Sequence, residues 1–316
     1  MKGKRILITG GAGFIANKLI SRIVDDNKIV VYDNFLRDTL TGSPLSGHPN
    51  IKVVTGDVLD CYLLEGIMEG ADIVVHAAAI AGVDSVINNP VETMDVNIVG
   101  TSNVMWAANL NKVKDRVINF STSEVFGSMA YKSCEDSGTT LGSAGEARWV
   151  YAASKVAGEH LAAAYYRQYN LPTVSVRPFN VYGAGQTGES ALTIFIRRAL
   201  KGQDIVIHGE GNQIRSWCYV DDFIDGLMSC LVEEKAIGQS FNIGNAKTVI
   251  TVYGLAQAVL KVLGSRSKIV FVPPLSADVE LRIPSVDKAE KILGFKAWRD
   301  LDYGIQKTAE WISGLG

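Results

Sequence analysis

Arg5-Ile6-Leu7-Ile8-Thr9-Gly10-Gly11-Ala12-Gly13-Phe14-Ile15-Ala16 reads as a buried strand that enters a tight turn and leaves as a helix. The apolar run is short and ends at glycines, as a buried strand does. From Ala16 to Val24 the pattern turns amphipathic, with Ile20, Ile23 and Val24 inward. Ile29–Tyr32 is a second strand ending at Asp33, and Ile51–Val54 a third, followed by Gly56-Asp57. Ile73–His76 and Val117–Phe120 are the fourth and fifth. Helical stretches lie between them, notably Pro90–Asn109 and Val150–Tyr169. Strand and helix alternate, which predicts an α/β fold with a doubly wound parallel sheet and helices on both faces.

The pattern loosens after about residue 175, with a loop over Asn180–Ser190, a turn at His208–Asn212 and prolines at 273, 274 and 284. This half is expected to form a smaller mixed C-terminal substrate domain. We place the dinucleotide-binding domain at 1–175, completed by 216–245, and the substrate domain at 176–215 and 246–316.

Composition narrows the function. The chain has 316 residues, 47% hydrophobic and 20% charged, with a formal net charge of −2. That suits a large buried core. There is no dense Lys/Arg block, so neither nucleic acid nor a membrane surface is expected as a partner. The run Ile6-Leu7-Ile8 is too short for a signal core or a spanning helix. Cys61, Cys134, Cys218 and Cys230 show no Cys-x-x-Cys spacing, which favours a reducing cytoplasm. The histidines at 48, 76, 160 and 208 lack metal-ligand spacing, so no metal is expected.

Gly10, Gly13 and Ala16 follow a strand and open a helix. Small residues there let the backbone approach a pyrophosphate, and the helix N-terminus attracts its charge. A carboxylate at Asp33 accepts hydrogen bonds from ribose hydroxyls and repels a 2′-phosphate, so NAD is expected rather than NADP. Ala16 adds a methyl where the pattern has a third Gly, and Arg37 nearby could soften that discrimination.

Tyr151 and Lys155 are one helical turn apart and share a face. A phenol is a poor base, with a reference pKa of about 10. A neighbouring ammonium is expected to lower that value, so the phenolate can take a hydroxyl proton. Alone, the spacing also describes an ordinary surface helix. Beside the glycine cradle it reads as an acid–base couple.

The chain resembles the extended short-chain dehydrogenase/reductases, and among them the nucleotide-sugar epimerases, dehydratases and decarboxylases. The resemblance runs through Thr9-Gly-Gly-Ala-Gly-Phe-Ile15, Gly56-Asp57, His76-Ala-Ala-Ala79, Asn97-x-x-Gly100-Thr101, Ser121-Thr-Ser-Glu-Val-Phe-Gly127, Tyr151-x-x-x-Lys155 and Arg177-Pro-Phe-Asn-Val-Tyr-Gly183. It continues at Gln213-Ile-Arg215, Tyr219-Val-Asp-Asp222, Phe241-Asn-Ile-Gly244 and Arg282-Ile-Pro284. It implies a tightly held NAD on Gly10, Gly13, Phe14, Ile15, Asp33, Asn34, Asp57, Val58, Ala77, Ala78, Ala79, Asn97, Tyr151 and Lys155. Asp57 and Val58 would lie at the adenine. Thr122 would bond the sugar's C4 hydroxyl, with Tyr151 as base and Lys155 as its electrostatic partner. Asn180, Arg215 and Arg282 would hold the nucleotide-diphosphate sugar, the two arginines at the diphosphate. His76 would sit near the cofactor without a chemical role. The resemblance also implies a homodimer through a four-helix bundle of Pro90–Asn109 and Val150–Tyr169.

Glu124 divides the possible reactions. Thr122-Ser123-Glu124 resembles the GDP-mannose-type 4,6-dehydratases and the UDP-glucuronate decarboxylases, whereas many 4-epimerases lack the carboxylate. Once C4 is a ketone, Glu124 could remove the C5 proton so that water leaves from C6. In a decarboxylase the ketone makes the C5 carboxylate a β-keto acid and no strong base is required. If Glu124 only orients a loop, 4-epimerisation becomes the leading function. A non-catalytic NAD-binding regulator has no need of Thr122, Tyr151 and Lys155, and net reduction of a keto-sugar with NADPH is opposed by Asp33.

Overall fold

The computed structural model describes residues 1–188, 190–274 and 279–314. Glu189 of the 180–190 loop, and 275–278 and 315–316 of the C-terminal segment, lie outside the described residues.

Seven strands form the main sheet: β1 (Arg5–Thr9), β2 (Lys28–Asp33), β3 (Ile51–Thr55), β4 (Ile73–His76), β5 (Arg116–Phe120), β6 (Thr173–Pro178) and β7 (Ser240–Ile243). Their order is β7-β6-β5-β4-β1-β2-β3, and every pairing is parallel. The order reverses between β4 and β1, where an open α/β sheet leaves a crevice for a ligand.

The alternation of side chains explains the two cores. Ile6, Ile8, Ile29, Val31, Ile73 and Val75 face one buried cluster, while Leu7, Val30, Tyr32 and Val74 face another. Helices cover both faces, so the inner strands are buried on both sides and read as continuous apolar runs, whereas the edge strand β3 is partly exposed.

The first helix opens at Phe14 rather than Ala16 and ends at Ile23. Gly13 caps it in extended conformation, so the helix begins directly behind the last glycine. Ala16, Leu19, Ile20 and Ile23 are its buried stripe. The helix expected over 90–109 is interrupted. It runs as α over Pro90–Met94, as π over Asp95–Val99, and as α again over Gly100–Leu110. Val150–Tyr169 is a single helix.

A four-stranded mixed sheet lies beside the parallel one, in the order Val249–Thr251, Ile214–Ser216, Leu281–Pro284, Met129–Ser133. Only its first pair is antiparallel. Met129–Ser133 comes from the first half of the chain and was not legible as a strand. It draws the segment 121–127 under the second sheet. Arg215 and Arg282 are register partners there. Among the described residues no helix is long and apolar enough to cross a membrane, and no group of side chains is arranged to hold a metal.

Candidate active site

The glycine turn is shaped for close approach. Gly10 has φ +68°, and a Cβ there would stand 2.5 Å from the backbone nitrogen of Ala78. The turn and the 77–79 segment after β4 therefore pack backbone to backbone, and only glycine fits. Asp33 reaches back to this turn from the end of β2. Its Oδ2 accepts from Ala12 N at 2.9 Å and its Oδ1 from Phe35 N at 2.7 Å. Burial pushes its carboxyl up and these amides oppose the rise. A carboxylate has about four acceptor sites, so two amides leave room for ribose hydroxyls. Small residues, an open helix N-terminus and a carboxylate at the strand end suit NAD. Arg37 turns from Asp33 to donate to Ala81 O at 2.6 Å and Ser85 Oγ at 3.1 Å.

The residues expected at the adenine are held by local constraints. Tyr32 donates to Asp57 O at 2.6 Å, and Gly56 is required because a Cβ would meet that ring at 2.4 Å. Asn34 Nδ2 donates to Asp57 Oδ2 at 3.2 Å. Val58 packs on Gly100, where a Cβ would stand 2.4 Å from Val58 Cγ2. Asn97 accepts from Ile80 N at 2.9 Å and donates to Ile80 O at 3.0 Å and Ser154 Oγ at 3.1 Å. It thereby ties the 77–80 segment to the helix carrying Tyr151 and Lys155.

Thr122 leaves β5 as the N-cap of a short 3-10 turn, accepting from Glu124 N at 3.2 Å. Its side chain acts on the Tyr151 phenol in the direction that favours ionisation. The expected effect of Lys155 on that phenol is not what the fold produces. Burial pushes the Tyr151 phenol well above its ordinary value, and the Glu124 carboxylate adds to the rise. Thr122, Arg37 and Arg282 pull the other way. Lys155 instead donates to Phe120 O at 2.8 Å, with Nζ 5.9 Å from the Tyr151 ring centre. Burial lowers the ammonium to about 8, opposed by Glu159 one turn on. Glu159 in turn takes both nitrogens of a buried Arg177 fork, at 2.8 and 2.7 Å, and bonds Ser121.

Glu124 lies between two guanidiniums. Arg148 Nη1 is 2.6 Å from Oε2 and Nη2 is 3.1 Å from Oε1, while Arg282 Nη1 is 3.4 Å from Oε1. Burial opposes the charge on Glu124, but Arg282 and Arg148 outweigh it and hold the carboxyl below its usual value. Arg282 thus approaches Glu124, from a strand that places it in register with Arg215. Arg148 carried no motif signal. It lies 24 residues from Glu124 in the chain, and only the fold brings them together.

Arg215 lines a cavity of about 1030 Å³ with Arg37, Asp84, Gln186, His208 and Trp217. A smaller hollow of about 60 Å³ joins Glu124, Arg148, Tyr151 and Val86, and Gly82 and Val83 border both. The large space is of the size that binds a nucleotide-sized ligand, and the small one gathers Glu124 and Tyr151, two of the groups expected to react. Asn180, at φ +39°, donates to Ser216 O at 2.8 Å and fixes its loop to the second sheet. Trp149 and Glu146, unassigned by sequence, bond each other at 2.9 Å.

A glycine cradle at the sheet's switch point, with a phenol and an ammonium on the Val150–Tyr169 helix, defines an extended short-chain dehydrogenase/reductase that uses NAD. The chain belongs to the NAD dependent epimerase/dehydratase family, whose model matches residues 6–244. It is 33% identical over 324 residues to the UDP-N-acetyl-alpha-D-glucosaminuronate decarboxylase of Bacillus cytotoxicus, covering 98% of this chain and 97% of that protein. It is 30% identical over 334 residues to the dTDP-glucose 4,6-dehydratase of Shigella flexneri, covering 97% and 92%. Its fold is similar to that of the UDP-glucuronic acid 4-epimerase of Bacillus cereus in complex with UDP-glucuronic acid and NAD, with a TM-score of 0.90, 26% identity and coverage of 99% and 100%. The chain is an enzyme of this family, and the family spans decarboxylation, dehydration and epimerisation.

Proposed function

We propose that the enzyme oxidises a UDP-linked uronate at C4 and then releases its C5 carboxylate as carbon dioxide. The state of Glu124 carries this choice. A C5 base for water elimination needs appreciable proton affinity, whereas the ion pairs of Glu124 with Arg148 and Arg282 stabilise its anion and make it a weaker base. Decarboxylation needs no such base. It needs cations for the sugar's acid group, and Arg282, whose Nη1 lies 3.4 Å from Glu124 Oε1, would supply one. The decarboxylase among the relatives supports the same reading.

Thr122 and Tyr151 meet the C4 hydroxyl, and Tyr151 takes its proton. When bound, NAD would supply the hydride acceptor and donor for C4. Gly10, Gly13, Phe14, Ile15, Asp33 and Asn34 would hold it on one side, with Asp57, Val58, the 77–79 segment, Asn97 and Lys155 on the other. The chain's own residues keep the Tyr151 phenol protonated, so Tyr151 becomes a base only when a further positive charge lies beside it. With C4 a ketone, the C5–C6 bond breaks and its electron pair enters the enolate. Carbon dioxide leaves, and C5 takes a proton in its place. Arg215 and the loop carrying Asn180 would hold the diphosphate, within a substrate domain of 176–215 and 246–316.

We further propose a homodimer paired through helices 90–110 and 150–169. Val91, Met94, Val99, Trp106 and Leu110 are exposed along the first.

The test is the mass of the product formed from UDP-glucuronate by the purified, NAD-loaded enzyme. Loss of carbon dioxide is expected. Loss of water from a neutral UDP- or dTDP-hexose would replace this reading with a 4,6-dehydratase. An unchanged mass with a new chromatographic peak would replace it with a 4-epimerase.

A further inference from the structure

We infer that Arg148 is a specificity-determining residue that reserves Arg282 for an acid group on the sugar. The inference rests on the decarboxylase reading above. The two guanidiniums hold Glu124 unequally. Arg148 takes both carboxylate oxygens, at 2.6 and 3.1 Å, while Arg282 approaches one oxygen at 3.4 Å. A bidentate fork is the stronger and more directional contact. Arg148 therefore fixes where the Glu124 charge sits.

Arg148 is itself fixed. It lies on the Ala147–Trp149 turn, and Trp149 Nε1 donates to Glu146 Oε2 at 2.9 Å. The indole occupies the space over Gly142, where a Cβ would stand 1.9 Å from that nitrogen. The guanidinium lies 5.7 Å from the indole centre. The side chains of Arg148, Glu124 and Arg282 are 10%, 16% and 5% exposed. Water and salt therefore screen these charges poorly. Without the Arg148 charge, Glu124 turns to Arg282, and the Arg282–Glu124 pair attracts an incoming carboxylate less. A neutral hydroxymethyl at the same carbon loses nothing by that change. The effect is therefore on the preference for an acid sugar over a neutral one, and it acts on binding, apart from turnover.

Binding of UDP-glucuronate and UDP-glucose to the NAD-loaded enzyme, measured by calorimetry in a Tyr151→Phe background that blocks turnover, tests this. Arg148→Met is expected to weaken UDP-glucuronate about tenfold and UDP-glucose less than about threefold. Retained UDP-glucose binding also reports that the variant is folded. Arg148→Lys keeps the charge without the fork and should recover part of the loss. Adding Glu124→Gln to Arg148→Met removes the competing carboxylate and should restore the acid-sugar preference. Equal weakening of both ligands, or a double variant that restores nothing, would show that Arg148 only shapes the pocket and overturns the inference. An Arg148→Met variant that keeps the parent's preference overturns it while the decarboxylase reading stands. A parent that binds UDP-glucose as tightly as UDP-glucuronate overturns both.

Discussion

A histidine at a strand end beside a cofactor cradle invites a catalytic role, and the hydrogen bonds of His76 leave it none. Thr9 Oγ1 lies 2.7 Å from Nδ1, and Thr101 Oγ1 lies 2.9 Å from Nε2. Thr101 spends its own proton on Asn97 O at 2.6 Å, so Nε2 carries the imidazole proton and Thr9 donates to Nδ1. Burial, helped by the Lys155 charge, lowers His76 to about 3. The linkage has a definite sign. An unfolded histidine takes a proton near 6.5 and the folded one refuses it, so stability is lost as pH falls from 6.5 toward 3. His76→Gln removes that proton site. The stability of wild type relative to this variant should fall by about 1.4 kcal/mol between pH 7.5 and 5.5 in urea unfolding. A flat difference would mean that His76 protonates in the folded chain after all. The family resemblance implies a place near the cofactor without a chemical role for this histidine. The same reasoning could not find Arg148, because nothing in its spacing from Tyr151 points to Glu124.

Elements whose partners are close in sequence were legible, and the interrupted helix shows where that stops. Apolar periodicity marks 90–109 as helical, yet it cannot reveal the π turn over Asp95–Val99. Such insertions gather at functional positions, and this one carries Asn97. That side chain, 1% exposed, closes a two-way bond with Ile80 and a third with Ser154. It joins the segment after β4 to the Tyr151 helix, so cradle and acid–base couple share one support. Asn97→Ala would leave the Ile80 N–H and C=O buried without that partner. A loss of about 2–4 kcal/mol follows from the usual cost of stranded polar groups. The variant should unfold at lower urea and retain less NAD through gel filtration. Unchanged retention alongside a lowered midpoint would confine Asn97 to stability and detach it from the cofactor.

At the scale of the molecule, legibility follows the distance between partners. β1 to β5 follow one another along the chain, all but β2 and β3 joined through helices, and each strand–helix unit announces itself by a change of period. The second sheet assembles three- to five-residue strands from remote places, such as Met129–Ser133 beside Leu281–Pro284. Met129 and Tyr131 are exposed and Ala130 is buried, an edge pattern too brief to read without its partner. Surface apolar residues carry a different message. Val91, Met94, Val99, Trp106 and Leu110 recur at roughly helical spacing along 90–110, with Val91 73% exposed and Leu110 49%. That helix packs against 150–169, whose outward positions include Ala153, Ala157 and Ala164. Large side chains beside small ones on two adjacent helices suit close pairing with a second copy of the same surface. Trp106 is the best candidate for an anchor, since aromatic residues dominate the energetics of interfaces. Trp106→Glu should weaken association by about 2 kcal/mol or more, roughly thirtyfold in dissociation constant. Sedimentation equilibrium on the NAD-loaded protein would measure it, with Trp298→Glu as a control. Trp298 is more exposed than Trp106, at 67% against 38%, but lies outside this helix pair. Equal effects of the two substitutions would remove the helix pair as the interface, and a monomeric parent would remove the dimer.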